Sequence, residues 1–93
     1  MEVFSDKFGR KIWFDVSDNV LYIDLKDLNE NSEYERSATV QNLSSLYEIF
    51  HCNISNLENV LAERFGGQAN SFDLLCDFLT EKNITYCYYS GIR

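Results

Sequence analysis

His51 and Cys52 are the two side chains whose types could make a catalytic pair, a thiol with an imidazole beside it. Their spacing forbids it: neighbours on a helix point about 100° apart, and a nucleophile must lie within hydrogen-bond reach of its base. His51 is the only histidine, and Cys52, Cys76 and Cys87 form no C-x-x-C pair, so no zinc-ligand set is written in the chain. Asp15, Ser17 and Asn19 copy the first three ligand positions of a calcium loop. Val20 stands where that loop requires glycine, and Lys26 where it requires a bidentate glutamate. Gly66-Gly67 follows no strand and leads to no P-loop lysine, so it is not a phosphate cradle. Carboxylates remain. Asp73, Asp77 and Glu81 recur at i, i+4 and i+8, which on a helix sets them in one ridge. Carboxylate pairs do acid–base work only in unequal environments inside a cleft, whereas a ridge is a solvated face or a surface for a basic partner. The chain is therefore expected to be no enzyme, with no cofactor and no metal.

The ridge needs a helix behind it, and the spacing predicts one over residues 70–83. Phe72, Leu75, Cys76 and Leu79 share one face, widened by Leu74 and Phe78. Asn70 or Ser71 is placed to cap its start, and Asn83 to end it in the left-handed conformation. Two shorter helices precede it. Leu43, Leu46, Tyr47 and Phe50 stripe the first, over residues 42–52, with Asn53 placed to stop it. Leu57, Val60, Leu61 and Phe65 stripe the second, with Ser55 and Glu58 at capping-box spacing and Gly66-Gly67 as its stop.

Before Asn42 the apolar period is two. Residues 2–5 read as a short strand and 6–9 as a turn. Ile12, Phe14 and Val16 share a face of a strand over 11–16, and Leu21, Ile23 and Leu25 a face of one over 20–25. Ser17-Asp-Asn19 between them reads as a hairpin turn. Residues 26–33 read as a polar, acidic connection. A further strand over 34–40 places Tyr34, Arg36, Ala38 and Val40 on one side, and 84–89 reads as a strand docked on the N-terminal sheet. The order predicts an α+β fold: a small N-terminal antiparallel β-sheet, then three short helices and a C-terminal strand, with one layer of helices on the sheet. No proline and no repeat marks a boundary, so residues 1–93 are expected to form one domain. Leu46, Phe50, Leu61, Phe65, Leu75, Leu79, Ile12, Phe14, Leu21 and Ile23 are the expected core.

The net charge of −7 is unevenly spread, +1 over residues 1–11, −5 over 12–36 and −3 over 37–93. Such a chain is repelled by nucleic acid and by anionic membrane and attracted to basic protein surfaces. No apolar run approaches the ~18 residues of a membrane span. The N-terminus lacks the pattern of a secretory signal, and the unpaired cysteines suit a reducing compartment, so a cytoplasmic location is expected.

Asp73, Leu75, Asp77, Leu79 and Thr80 hold the pattern D-x-L-x-D-x-L-T, which resembles the inhibitory helix of the barstar family of ribonuclease inhibitors. In that family the two aspartates, one turn apart, face the nuclease active site. The likeness covers eight of the 93 residues, and the N-terminal hairpin departs from that family, so it is an analogy of one helix face. The expected function is a small acidic inhibitor, of the toxin-immunity or phage anti-defence type, that occludes a basic, nucleic-acid-binding surface of a partner protein such as a nuclease. Asp73, Asp77, Glu81, Asp27, Glu30 and Glu33 are the expected contact residues. The alternative is a structural small subunit or adaptor, a homodimer among the possibilities, packing through exposed tyrosines and an edge strand.

Overall fold

The computed structural model describes residues 1–28 and 33–92. β1 (Glu2–Ser5), β2 (Arg10–Ser17), β3 (Val20–Leu28) and β4 (Glu33–Val40) are followed by α1 (Ser44–Phe50), α2 (Leu57–Phe65) and α3 (Ser71–Glu81), and β5 (Cys87–Ile92) closes the chain's course. All five strands form one antiparallel sheet in the order β1-β2-β3-β4-β5. This is the α+β arrangement the periodicity predicts, with the helices on one sheet face.

Local chemistry sets the turns. Asp18 (φ 52°) and Asn19 (φ 63°) both adopt the left-handed conformation, giving a two-residue turn that matches strand twist and fixes Ser17 opposite Val20. Ser17 therefore belongs to β2 rather than to the turn. That register sets Phe14 opposite Ile23 and Ile12 opposite Leu25, all buried on one face. In the β1–β2 turn, the Asp6 carboxylate accepts the N–H groups of Phe8 and Arg10, each at 3.0 Å. Gly9 has φ +99°, its carbonyl accepts the Leu28 N–H at 2.9 Å, and a Cβ there would collide with the Leu28 carbonyl. Only glycine fits this position.

Ile12, Phe14, Leu21, Ile23, Leu25, Ala38 and Val40 meet Leu43, Leu46, Leu57, Leu61, Phe72, Leu75, Cys76, Leu79 and Ile84 in one core. Phe50 and Phe65 fall short of the burial expected of them. With Phe78 they form a half-buried cluster, ring centroids 5.1–6.3 Å apart, at the outer junction of the helices. The stems of Arg64 and Lys82 bring their charges over the Phe50 and Phe78 rings.

Of the expected connection over 26–33, residues 26–28 and 33 belong to strands, and residues 29–32 lie outside the described residues. β3 continues to Leu28 and β4 begins at Glu33, because cross-strand partners such as Lys26 and Glu35 suit the ladder where hydrophobic alternation fades. α1 ends at His51, which takes φ 51° itself, two residues before the expected Asn53. Ser55 and Glu58 form no capping box: α2 starts at Leu57, and Glu58 reaches away to accept the Val16 N–H at 2.7 Å. Neither Asn70 nor Ser71 caps α3 by its side chain; the buried Ser71 hydroxyl bonds back to the Gln68 carbonyl at 2.7 Å. The other end of α3 follows expectation, with Asn83 at φ 58°. There Ile84 N–H reaches the Leu79 carbonyl at 2.9 Å and Asn83 N–H the Thr80 carbonyl at 3.1 Å, a Schellman stop with Leu79 and Ile84 both buried. Ile84 is thus spent on that stop, and β5 begins at Cys87 instead.

Candidate functional site

α3 carries the acidic ridge because its opposite arc is committed. Phe72, Leu75, Cys76 and Leu79 are all buried, which fixes the helix's rotation and turns positions 73, 77 and 81 outward. Asp77 and Glu81 are exposed and make no ion pair among the described residues. Asp73 is engaged. Arg36 Nη1 donates to its Oδ1 at 2.8 Å, and its side chain remains 48% exposed.

Arg36 reaches Asp73 from the helix-covered face of β4, in alternation with Ala38 and Val40. Its guanidinium lies over the Phe72 ring, 4.5 Å from the centroid, and its Nε donates to the Tyr88 hydroxyl at 2.8 Å. Burial opposes the charge, but the hydrogen bonds to Tyr88 and Asp73 outweigh it and hold the pKa above the ordinary arginine value. One arginine thereby ties β4, β5 and α3 together. Placing Arg36 on the core face was within reach of the sequence; its choice of Asp73 over the other acids was not.

The remaining expected contact residues do not join the ridge. Asp27 accepts from Arg10 Nε at 2.7 Å and Nη2 at 2.9 Å, while Arg10 Nη1 donates to the Ala69 carbonyl at 2.8 Å. The hydrogen bond to Asp27 holds Arg10 above its ordinary pKa against the cost of burial. Asp27 is thus a clamp between the sheet and the loop before α3. It lines a cleft of about 330 Å³ with Asp6, Phe8, Arg10, Leu28 and Ala69. Glu33, the first residue of β4, alternates onto the face away from the helices, opposite Leu28. Glu30 lies outside the described residues. Asp73, Asp77 and Glu81 are therefore the expected residues that the fold brings onto one surface.

On the sheet face turned from the helices, Trp13, Asp15, Asp24 and Lys26 line a second hollow of about 430 Å³. Its carboxylates have partners: the N-terminal ammonium pairs with Asp15, and Ser37 Oγ donates to Asp24 at 2.8 Å. Cys52, Cys76 and Cys87 are free thiols, half-buried, buried and exposed in turn. Among the described residues no group of three or more His, Cys, Asp and Glu side chains could hold a metal ion, and no helix is long and apolar enough to cross a membrane. No protein-family model, no curated protein and no solved structure matches the chain.

Proposed function

We propose that this chain is a small acidic inhibitor, of the toxin-immunity or anti-defence type, that lays the carboxylates of α3 over a basic, nucleic-acid-binding surface of a partner protein. The observation that carries the reading is the pairing of Asp77 and Glu81, exposed and one turn apart, with a buried arc of α3 that holds them in fixed geometry. Rigid presentation matters because a backbone already ordered in a packed helix loses less freedom on binding. Asp73 adds a third, half-neutralised carboxylate through its bond to Arg36. The partner surface is one built to receive phosphates, so the chain acts by occupying it and carries out no chemistry of its own. Three free thiols and the absence of disulfides among the described residues suit work in the cytoplasm.

Capture from the native host with the wild-type chain and with the Asp77→Lys/Glu81→Lys variant as bait tests this reading. The expected result is a basic protein retained by the wild type, released by added nucleic acid and by raised salt, and bound at least tenfold more weakly by the variant, about 1.4 kcal/mol or more. A partner held equally by both baits and indifferent to nucleic acid would overturn it. The second reading, a self-associating structural subunit, draws on Tyr88 and Tyr89, which stand 49% and 54% exposed on β5. It predicts a solution mass that rises with concentration.

A further inference from the structure

The two edges of the sheet are treated differently. β1 is four residues long, its register shifts between Glu2 and Phe4, and the Gly67 N–H reaches over to the Val3 carbonyl at 2.7 Å. A short, irregular, covered edge cannot accept another strand. β5 has none of these protections. Cys87-Tyr-Tyr-Ser-Gly-Ile92 contains no lysine, arginine or proline and pairs with β4 in unbroken register from Thr39 opposite Cys87 to Tyr34 opposite Ile92. Among the described residues nothing pairs with its outer side, where alternate residues of an edge strand turn their N–H and C=O groups. The helices cover it only in part, since Tyr88, which alternates onto the helix side opposite Ala38, is 49% exposed.

α3 lies beside this edge and meets it through side chains. The Phe72 and Tyr88 rings lie 6.2 Å apart, the Thr80 and Tyr86 hydroxyls are hydrogen-bonded at 3.0 Å, and Asp73 accepts from Arg36, whose Nε donates to the Tyr88 hydroxyl. The open strand thus lies beside the helix that bears Asp73 and Asp77. We infer that β5 accepts an extended, basic segment of the partner as a sixth strand, with lysine or arginine side chains rising against the carboxylates of α3. This rests on the reading of α3 as the binding face and adds the backbone by which the partner is held.

Charge and spacing select this occupant. An added strand sends every second side chain to the helix side, ~6.6 Å apart. One turn of α3 separates Asp73 from Asp77 by a rise of about 6 Å, close to the spacing of two alternate side chains on a strand. A second copy of the chain offers less, because its own β5 carries no cation to set against them.

The probe is a fluorescein-labelled nine-residue peptide alternating lysine and valine, titrated by anisotropy. Two further peptides carry N-methyl groups on the lysine or on the valine backbone nitrogens, which removes hydrogen bonds along one edge and leaves charge intact. The expected result is an affinity lowered at least tenfold by one methylation pattern and not the other, and at least tenfold by Asp77→Lys, with slowed hydrogen exchange at β5 amides when the unmodified peptide is bound. Binding that Asp77→Lys weakens but neither methylation pattern does would overturn strand addition and leave the α3 reading standing. Binding sensitive to methylation but not to Asp77→Lys would overturn the basic occupant and, with it, the α3 reading at this site. No binding of the unmodified peptide, or protection of β5 that grows with protein concentration alone, would overturn the inference as well, the latter in favour of a second copy.

Discussion

Cys76 lies against the core on the inner arc of α3, and burial pushes its thiol pKa up to about 12, with Asp73 and Asp77 adding to the shift and Arg36 opposing it. In the unfolded chain the same thiol ionises in the ordinary range. The folded state therefore keeps a proton that the unfolded state loses, so this group lowers stability as pH rises from about 9 toward 12, by at most ~1.4 kcal/mol per pH unit, and does nothing below that window. Urea unfolding of the wild type and of Cys76→Ala across this range should show a shallower pH dependence in the variant. Thiol alkylation near pH 8 should modify the exposed Cys87 first and reach Cys76 only on unfolding. Gly9 makes an independent test. Gly9→Ala meets both the positive φ and the Leu28 carbonyl and should cost about 1–3 kcal/mol. Gly67→Ala, at φ +80° with open space around it, should cost less in the same denaturant titration.

At the scale of elements, Glu58 supplies what β1 is too short to give. The Phe14 N–H finds the Met1 carbonyl at 3.0 Å, but the next outward donor of β2, the Val16 N–H, lies past the end of β1 and is met by the Glu58 carboxylate at 2.7 Å. Glu58→Ala should cost about 1.5–3 kcal/mol, the usual worth of a hydrogen bond to a charged group, and should speed amide exchange at Val16. Leu75→Ala, at a fully buried position on α3, should cost roughly 2–5 kcal/mol in thermal or urea unfolding. The inner arc of α3 is legible in the sequence because four apolar residues recur with the helical period and nothing competes with them. The extent of β3 and β4 is not, since residues near Lys26 are held by partners across the strands and not by an alternation of their own. For the same reason the Ser55–Glu58 spacing misleads: a local capping box competes with a donor forty-two residues away, and the distant donor wins.

Over the whole molecule, acids outnumber bases by seven, yet the fold sorts them into those that hold structure and those that face outward. Asp27 is clamped by Arg10, Glu58 completes the sheet, and Asp15 pairs with the N-terminal ammonium, while Asp77 and Glu81 stand without ion pairs among the described residues. Composition reports only the excess of charge, so the sequence reading could set Asp27 and Glu33 beside the α3 acids without sign of their different stations. The outward set predicts a salt response. Exposed charges are screened beyond ~8 Å at 0.15 M, so partner affinity should fall on going from 0.05 to 0.3 M NaCl, whereas the unfolding midpoint, resting on the buried core, should move little. Calorimetric titration against the captured partner and parallel melts would separate the two.

The sheet runs in chain order, but all three helices are inserted between its fourth and fifth strands. The first four strands can zip from neighbouring hairpins, with only short loops to close, whereas β5 must wait until α1, α2 and α3 have docked and returned the chain to β4. During synthesis the N-terminal half would leave the ribosome as a meander whose apolar face, Ile12, Phe14, Leu21, Ile23 and Leu25, has no lid yet. Pulse-labelled refolding should accordingly protect amides of β2 and β3 well before those of β5. The last strand to join the sheet is then the one whose far side stays open.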